Sequence, residues 1–398
     1  MAQDRRRSLG VGLAGFTAFL ELYATQGMLP FLAKELHVSA VAASTTVSAT
    51  TTAVALSAPF AGMLSDRYGR ERVIRVAACL LVLSTFLAAT AATLPMLVVW
   101  RAVQGLLLPA IFAPTLAYVG EECSGNVGRT MASYVAGNIV GGVIGRFVMA
   151  LAAERWGYRE AFLVLGCFSF AATFALMLVL PRGQHFVPEP SLGSTLAALL
   201  KQLKNSKLWA GYAVGFNILF SIVGVFTYVG FHLAAPPFEL GTAALGAVFL
   251  VYLTGLVATP LAGRFLDRTG PRVVLLCALA IAASGVLLTL VPSLTIVLVG
   301  LGLCAGGIFA SQSAANSYLA KSSARARSSA AGLYVSLYYL GGTAGAFVPG
   351  VAMRAAGWAG CVTVIVAMQV WTALIAGLLW RKRRRGTVTP QLRPSTAR

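Results

Sequence analysis

Long stretches without a charged residue are the feature that most constrains what this chain can fold into. Nine stretches contain no Asp, Glu, Lys or Arg, and a transmembrane helix needs about 20 mainly apolar residues. They are residues 38–65, 76–100, 102–120, 161–181, 208–238, 240–263, 273–320, 328–353 and 355–380. The stretch 273–320 is long enough for two helices, because Pro292 and Ser293 supply a turn in its middle. The stretches therefore predict ten transmembrane helices.

Two further apolar segments each carry a single internal charge. Residues 9–33 contain Glu21, and residues 130–153 contain Arg146. Adding them gives twelve helices, so the predicted fold class is an all-α membrane protein. Only 11% of the residues are charged, whereas a soluble domain has about 25%. This composition excludes a soluble enzyme and a nucleic-acid-binding module.

The formal net charge of +19 fits the predicted topology. If the N-terminus is cytoplasmic and the helices alternate, most Lys and Arg residues lie in loops on the cytoplasmic side. This predicts a multi-pass protein of the bacterial inner membrane with both termini in the cytoplasm. The basic residues 381–385 follow the last helix and are expected to touch anionic lipid rather than nucleic acid.

The sequence repeats itself once. Residues 59–69 align with residues 260–270, and residues 134–145 align with residues 334–345. Such a duplication predicts two pseudo-symmetric six-helix bundles that rock around a site between them. The predicted organisation is a first bundle at 1–181, a cytoplasmic linker with a partly amphipathic helix at 182–206, a second bundle at 207–380 and a basic cytoplasmic tail at 381–398.

A motif in the repeated segment resembles a known family. Residues 62–72 read GMLSDRYGRER, which resembles the signature loop of the major facilitator superfamily. Arg101 and Gln104 resemble that family's second motif, on the fourth helix. Residues 137–145 resemble the fifth-helix motif of its antiporter branch, with Gly142 where proline is usual. The resemblance covers about residues 8–380 and implies a twelve-helix drug or metabolite transporter.

The resemblance assigns a gating role to the loop between the second and third helices. The gating residues are Gly62, Asp66, Arg67, Gly69 and Arg70, with Asp267 and Arg268 repeating the core of the motif in the second half. Asp66 is expected to face the N-terminal end of the helix that begins near Arg327, where the helix dipole favours a carboxylate. Gly62 and Gly69 are expected to allow close backbone approach and tight turns.

Glu21 is the one acidic residue at the centre of a predicted helix. A central charge costs about 2.5–3.5 kcal/mol on insertion scales, so its side chain should face the protein interior or a wet cavity. Burial favours the neutral carboxyl, which suits a group that binds and releases a proton. Thr17, Thr25 and Gln26 make one side of the same helix polar. A proton site, a site for a cationic substrate and a structural pair with an arginine remain open.

Two arginines also lie inside predicted helices. Arg146 either neutralises Glu21, binds an anionic substrate or extends outward to the membrane interface. Its counterpart in the second half is Ala346, so the charge belongs to the first half alone. Arg101 is expected near the outer end of the fourth helix, with Gln104 three residues on. The resemblance implies that Arg101 takes part in proton coupling, and the alternative is an interfacial anchor.

Neutral polar residues provide the remaining candidates for substrate contacts. The resemblance implies that the first, fourth, seventh and tenth helices line a central cavity. The candidates are Gln26, Asn217, Gln312, Asn316 and Tyr338. The alternative for each is a hydrogen bond between helices, which contributes about 0.6 kcal/mol on average.

These features favour a proton-coupled exporter of a small amphipathic drug or metabolite, working by alternating access as a monomer. The alternative within transport is uptake or exchange of an organic anion held by Arg146. A membrane receptor or membrane enzyme is a remote alternative, because no large soluble domain or clustered catalytic residues are visible. The scattered histidines and cysteines predict no metal site, and no cofactor is expected.

Overall fold

The structure is a computed structural model that describes residues 2–123, 126–183, 206–322 and 327–380. Within these ranges the chain is helical and contains no strand. Most of the predicted linker and the whole basic tail lie outside the described residues, so the amphipathic helix and the lipid contact remain predictions.

The first half contains six helical spans, here named α1 to α6. Two of them are divided: α1 continues through a 3₁₀ turn, and α4 consists of two helices that meet at Leu108, whose own backbone angles are helical. The spans are α1 (Ala2–Leu22, the 3₁₀ helix Ala24–Met28 and Leu29–Glu35), α2 (Ala40–Tyr68), α3 (Arg70–Ala88), α4 (Leu94–Leu107 and Pro109–Glu122), α5 (Val127–Trp156) and α6 (Tyr158–Val179).

The second half also contains six spans, but its 3₁₀ interruption lies in its second span rather than its first. The spans are α7 (Ser206–Ala234), α8 (Thr242–Val248, the 3₁₀ helix Phe249–Leu253 and Thr254–Thr269), α9 (Pro271–Leu288) and α10 (Leu294–Ser322). The last helical stretch, Arg327–Leu379, loses helical geometry at Ala356 and Gly357. This break divides the stretch into α11 and α12.

Most of the spans are long and apolar enough to cross a membrane. Nine helices of the described residues meet that criterion, and the bent α1 adds a tenth span. One of the nine combines α11 and α12, so the break at Gly357 raises the total to eleven. The remaining span, α3, is apolar after a charged first turn and a half. The architecture is the predicted multi-pass membrane fold with twelve helical spans.

Four glycines make the tight turns that join successive spans. Gly69, Gly157, Gly270 and Gly357 all have positive φ angles, between 60° and 104°, where a residue with a Cβ is strained. They join α2 to α3, α5 to α6, α8 to α9 and α11 to α12. The prediction of a tight turn at Gly69 is therefore confirmed, and its counterpart in the second half makes the same turn.

The boundary between α3 and α4 differs from the prediction. Charge counting placed it at Arg101, whereas α3 ends at Ala88 and α4 begins at Leu94. Thr93 in an extended conformation and a proline in the first turn start α4, so Arg101 lies two turns inside the helix. The predicted turn at Pro292 and Ser293 is confirmed, because α9 ends at Leu288 and α10 begins at Leu294.

Glycines also bring neighbouring spans into backbone contact. A Cβ at Gly141 or Gly145 of α5 would meet the α1 backbone at Phe16 and Leu20, respectively. Gly341 and Gly345 of α11 contact the α7 backbone at Phe216 and Phe220 in the same way. Small residues that allow helices to approach closely are a common basis of packing within a bilayer. Gly141 and Gly145 therefore pack α5 against α1, and the aligned Gly341 and Gly345 pack α11 against α7 in the same way.

We predict that Gly145→Ala destabilises the protein by about 1–3 kcal/mol, because the added methyl group must push α1 and α5 apart. The matched control is Gly120→Ala in α4, where a Cβ would meet nothing within 4 Å. The measurement is thermal unfolding of the purified protein in detergent. Equal unfolding temperatures for the two variants would contradict the close packing of α1 on α5.

Candidate functional site

The interruption of α1 lies at the centre of the candidate site. Tyr23 leaves the helical conformation with φ −121° and ψ 20°, and a 3₁₀ turn follows it. A helix that ends inside a bilayer leaves carbonyl groups that need another donor. Arg101 of α4 provides that donor, with Nη1 donating to the Glu21 carbonyl at 3.0 Å and Nη2 to the Leu22 carbonyl at 2.8 Å. A buried guanidinium thus caps the broken helix.

Arg101 also connects α1 to three other spans. Its Nη1 donates to Oε1 of Gln104 at 2.5 Å, and its Nε donates to the Thr46 carbonyl of α2 at 3.3 Å. Gln104 in turn donates to the hydroxyl of Thr85 on α3 at 2.9 Å. The structure therefore brings together Arg101 and Gln104, which the sequence predicted as a pair. Because Arg101 is fully buried, the interfacial-anchor alternative does not fit its position.

Glu21 is fully buried and points into the first bundle. Its polar neighbours are Ser169 of α6, Thr85 of α3 and Arg101. Neither carboxyl oxygen has a hydrogen-bond partner within the described residues, and no ion pair joins Glu21 to an arginine there. Burial of a carboxyl without a partner favours its uncharged form. Glu21 is therefore a buried acidic side chain that no ion pair neutralises in the described part of the chain.

Arg146 of α5 lies on the other side of α1, in a cage of three aromatic rings. Its Cζ atom is 5.0 Å from the ring centroids of Tyr23 and Phe249 and 4.9 Å from that of Tyr252. The guanidinium Nε donates to Oε1 of Gln26 at 2.9 Å, and Nη1 donates to the Gly142 carbonyl at 2.6 Å. We call these rings together with Arg146 and Gln26 the Arg146 cage. A desolvated cation on aromatic faces gains about 2 kcal/mol or more.

Both bundles contribute to the Arg146 cage. Tyr23 and Gln26 come from the interruption of α1, whereas Phe249 and Tyr252 come from the 3₁₀ turn of α8. No ion pair to Arg146 is present in the described part of the chain. The side chain does not extend outward to the interface, because Arg146 is only 3% exposed. Neither neutralising Glu21 nor extending outward fits this position, so of its three predicted roles the binding of an anion stays a prediction.

Gly142 makes room for this arginine. A Cβ at position 142 would lie 3.0 Å from Nη1 of Arg146, and the Gly142 carbonyl accepts a hydrogen bond from the same atom. Gly142, which stands where the antiporter pattern has proline, is therefore the residue that lies against the Arg146 guanidinium.

Tyr338 extends the aromatic surface into the second bundle. Its hydroxyl is close enough to those of Tyr23 and Tyr252 for electrostatic interaction, and its ring is 5.8 Å from Tyr334. Tyr339 stacks on Phe112 of α4 at 5.9 Å. The Arg146 cage thus continues into an aromatic wall, formed by Tyr338 and Tyr339 of α11 and Phe112 of α4.

The other candidates of the second bundle are Asn217 on α7 and Gln312 and Asn316 on α10. Gln312 donates to the hydroxyl of Tyr334 at 3.0 Å and to Oδ1 of Asn316 at 3.1 Å. Asn217 is buried, and its Nδ2 has no hydrogen-bond partner among the described residues. Sequence reasoning missed Tyr23, Phe249 and Tyr252. The last two lie in an apolar stretch that gives no sign of an interruption.

The gating motif forms an ion-pair network at the end of the first bundle. Arg70 pairs with Asp66 and with Glu121 of α4, whose Oε1 is 2.8 Å from Nη2. The repeat differs, because Asp267 and Arg268 form no ion pair in the described regions and Pro271 replaces Arg70. Side chains at the start of α11 are outside the description, so the contact of Asp66 with that helix stays a prediction.

One expectation for the motif is wrong. Gly62 was expected to allow close backbone approach, yet a Cβ there would meet nothing within 4 Å. Arg67 is exposed, with its guanidinium carbon 5.4 Å from the ring of its neighbour Tyr68.

Hydrogen bonds also join the two bundles, and several of them involve α2 or Ser39, the residue that caps its N-terminus. Gln26 donates to Thr227 at 3.0 Å, and Arg354 donates to Ser39 at 2.8 Å. Ser44 bonds Tyr228 at 3.0 Å, and Thr51 bonds Thr343 at 3.0 Å. These hydrogen bonds therefore join the bundles from Ser39 as far along α2 as Thr51, and through Gln26 of α1.

Comparison with known proteins identifies one family and relatives within it. The family model described as Major Facilitator Superfamily matches residues 11–251 and 226–396. An uncharacterized MFS-type transporter of Bacillus subtilis, YybF, is 30% identical over 370 residues, covering 92% of each chain. The inner membrane transport protein YnfM of Escherichia coli is 31% identical over 383 residues, covering 96% of this chain and 92% of YnfM.

Solved structures with the same fold have low sequence identity. The nucleoside transporter NupG superposes with a TM-score of 0.72 at 14% identity and covers 94% of this chain and 100% of its own. The human organic anion transporter MFSD10 superposes with a TM-score of 0.72 at 19% identity and covers 94% and 99%. At these identities the likeness concerns the fold alone.

We predict that Arg101→Lys lowers the unfolding temperature, because a single ammonium group cannot cap two carbonyls and bind Gln104 at once. Each lost hydrogen bond to the charged group costs about 1.5–3 kcal/mol. The matched control is Arg159→Lys, where the arginine is exposed and its contacts with described side chains are the hydroxyl and ring of Tyr158. Unfolding of Arg101→Lys at the wild-type temperature would contradict the capping role.

Proposed function

Because the chain belongs to the Major Facilitator Superfamily, whose members are transporters rather than enzymes, we propose that it is a proton-coupled secondary transporter of a small organic anion. The observation that carries this proposal is Arg146. A buried guanidinium, which pairs with no acidic residue of the described ranges, lies in a cage to which both bundles contribute.

Recognition of the substrate begins with the free edge of Arg146. Its Nε and Nη1 atoms are engaged by Gln26 and Gly142, whereas Nη2 donates no hydrogen bond within the described residues. A carboxylate or similar anionic group would bind there and supply the missing negative charge. The rings of Tyr23, Tyr252 and Tyr338 would then pack against the apolar body of the substrate.

Proton coupling is assigned to Glu21. Its carboxyl group and Tyr23 lie two residues apart, on either side of the break in α1. A change in the charge of Glu21 would alter its attraction to Arg101, which holds the carbonyls at that break. Movement of the break would displace Tyr23 and Gln26 and so change the affinity of the Arg146 cage. Coupling of this kind needs only that the proton and the substrate favour different arrangements of α1.

Export of an amphipathic drug or metabolite is the second candidate. The aromatic wall of Tyr338, Tyr339 and Phe112 favours it, because such a surface accepts apolar bodies of any charge. The glycine motif of α5 gives it less support, since Gly141 and Gly145 make the same packing contacts as the aligned Gly341 and Gly345 of α11. For either candidate, the proposed setting is a monomer in the bacterial inner membrane with both termini in the cytoplasm.

We predict that Arg146→Gln removes anion binding. A panel of organic anions, cations and neutral compounds is screened by thermal stabilisation of the purified protein. Anions should stabilise the wild type, and Arg146→Gln should lose about 2–5 kcal/mol of binding energy for them. The matched control is Arg155→Gln, an exposed arginine on the same helix.

The same screen separates the two candidates. Stabilisation by cations or neutral compounds that survives Arg146→Gln would favour drug export and contradict the anion site. Anion binding that is equal in Arg146→Gln and Arg155→Gln would place the substrate elsewhere.

We predict that Glu21→Gln abolishes proton-driven accumulation in proteoliposomes while substrate exchange at equal pH continues. Glutamine keeps the shape of the side chain and cannot exchange a proton. The control is Glu35→Gln, an exposed residue at the end of the same span. Retention of a pH-driven gradient by Glu21→Gln would show that the proton is carried by another group.

A further inference from the structure

A groove of about 310 Å³ lies on the first bundle, where α2, α3 and α4 meet near the gating motif. Its walls are apolar side chains that include Leu64, Val76, Leu80 and Leu107, and Tyr68 and Arg72 lie among them. None of these residues belongs to the Arg146 cage. The groove is therefore a separate feature of the molecule, with one charged residue in an otherwise apolar lining.

The groove faces the bilayer because of where α3 lies in the first bundle. The packing partners of α3 are the other spans of the first bundle, chiefly α2, α4 and α6. Val76 and Leu80 are 55% and 45% exposed, although they lie in the middle of an apolar span. In a membrane protein such side chains face lipid, so the groove is open to acyl chains.

The dimensions of the groove suit one leaflet. Leu80 lies eight residues beyond Arg72 on α3, which corresponds to about 12 Å along the helix. One leaflet of the hydrocarbon core is about 15 Å thick, half of roughly 30 Å. Arg72 lies near the start of α3, so the apolar lining begins at the membrane surface and runs inward.

Arg72 differs from the other arginines at this end of α3. Arg70 pairs with Asp66 and Glu121, and Arg75 donates to the Leu180 carbonyl at 2.6 Å. Arg72 is exposed and makes no ion pair with a described residue. A free guanidinium at the mouth of an apolar groove complements a molecule with an anionic head and an apolar chain.

We propose that this groove binds an anionic phospholipid of the adjacent leaflet. One acyl chain lies along Val76 and Leu80, and the phosphate group binds Arg72 beside Tyr68. The second half offers no equivalent, because Thr269 and Val273 occupy the positions that match Tyr68 and Arg72 in the repeat. The site is thus a property of the first bundle.

The test is native mass spectrometry of the full-length protein, released from detergent that contains equal amounts of phosphatidylglycerol and phosphatidylethanolamine. The wild type should retain phosphatidylglycerol preferentially. Arg72→Ala should lower that preference about fivefold, the effect of one basic residue near an anionic surface, and Arg72→Lys should largely restore it. Arg272→Ala, which removes a basic residue from the matching turn of the second half, should leave it unchanged.

A second variant tests the acyl chain separately. Val76→Trp fills the groove from an exposed position, so the protein should fold and lose retention of both lipids. Inorganic phosphate at millimolar concentration should not displace the retained lipid. Equal preference in Arg72→Ala and Arg272→Ala, full retention in Val76→Trp, or displacement by phosphate alone would each overturn the proposal.

Discussion

The rest of the structure depends on the capping of a helix, α1, that is interrupted inside the membrane. The hydrocarbon core contains no water to donate hydrogen bonds to the carbonyl groups exposed at the interruption. Another part of the protein must therefore donate those hydrogen bonds. Arg101 does this for α1 with two hydrogen bonds, and it is held in place by Gln104 and the Thr46 carbonyl. The interruption of α1, and with it the position of Tyr23 and Gln26, follows from this one buried guanidinium.

The break separates two charges that the sequence could have paired. Glu21 precedes it and points into the first bundle, whereas Tyr23 and Gln26 follow it and contact Arg146. An acid near one face of α1 and a base near the other do not neutralise each other. On this separation rests the proposal that Glu21 takes a proton and Arg146 an anion, with the same short segment of backbone between them.

The sequence predicted the fold because hydrophobic length and repetition are strong signals. Twelve spans, the turn at Pro292 and the glycine turn at Gly69 were all visible in it. The α3–α4 boundary was misplaced, because Arg101 looked like the end of a span and is instead buried within one. The Arg146 cage was only half visible: the arginine stood out, but Phe249 and Tyr252 are ordinary apolar residues until a 3₁₀ turn in α8 directs them toward it.

The hydrogen bonds between the bundles set an energy scale for conformational change. They join neutral hydroxyl and amide groups, apart from the one that Arg354 donates to Ser39. Within a membrane such bonds average about 0.6 kcal/mol each, so the four named above contribute roughly 2–3 kcal/mol beside the packing of apolar side chains. A ligand that binds one arrangement about a hundredfold better than the other offsets a contribution of that size. Exchanging these hydrogen bonds is therefore within reach of ordinary binding energies.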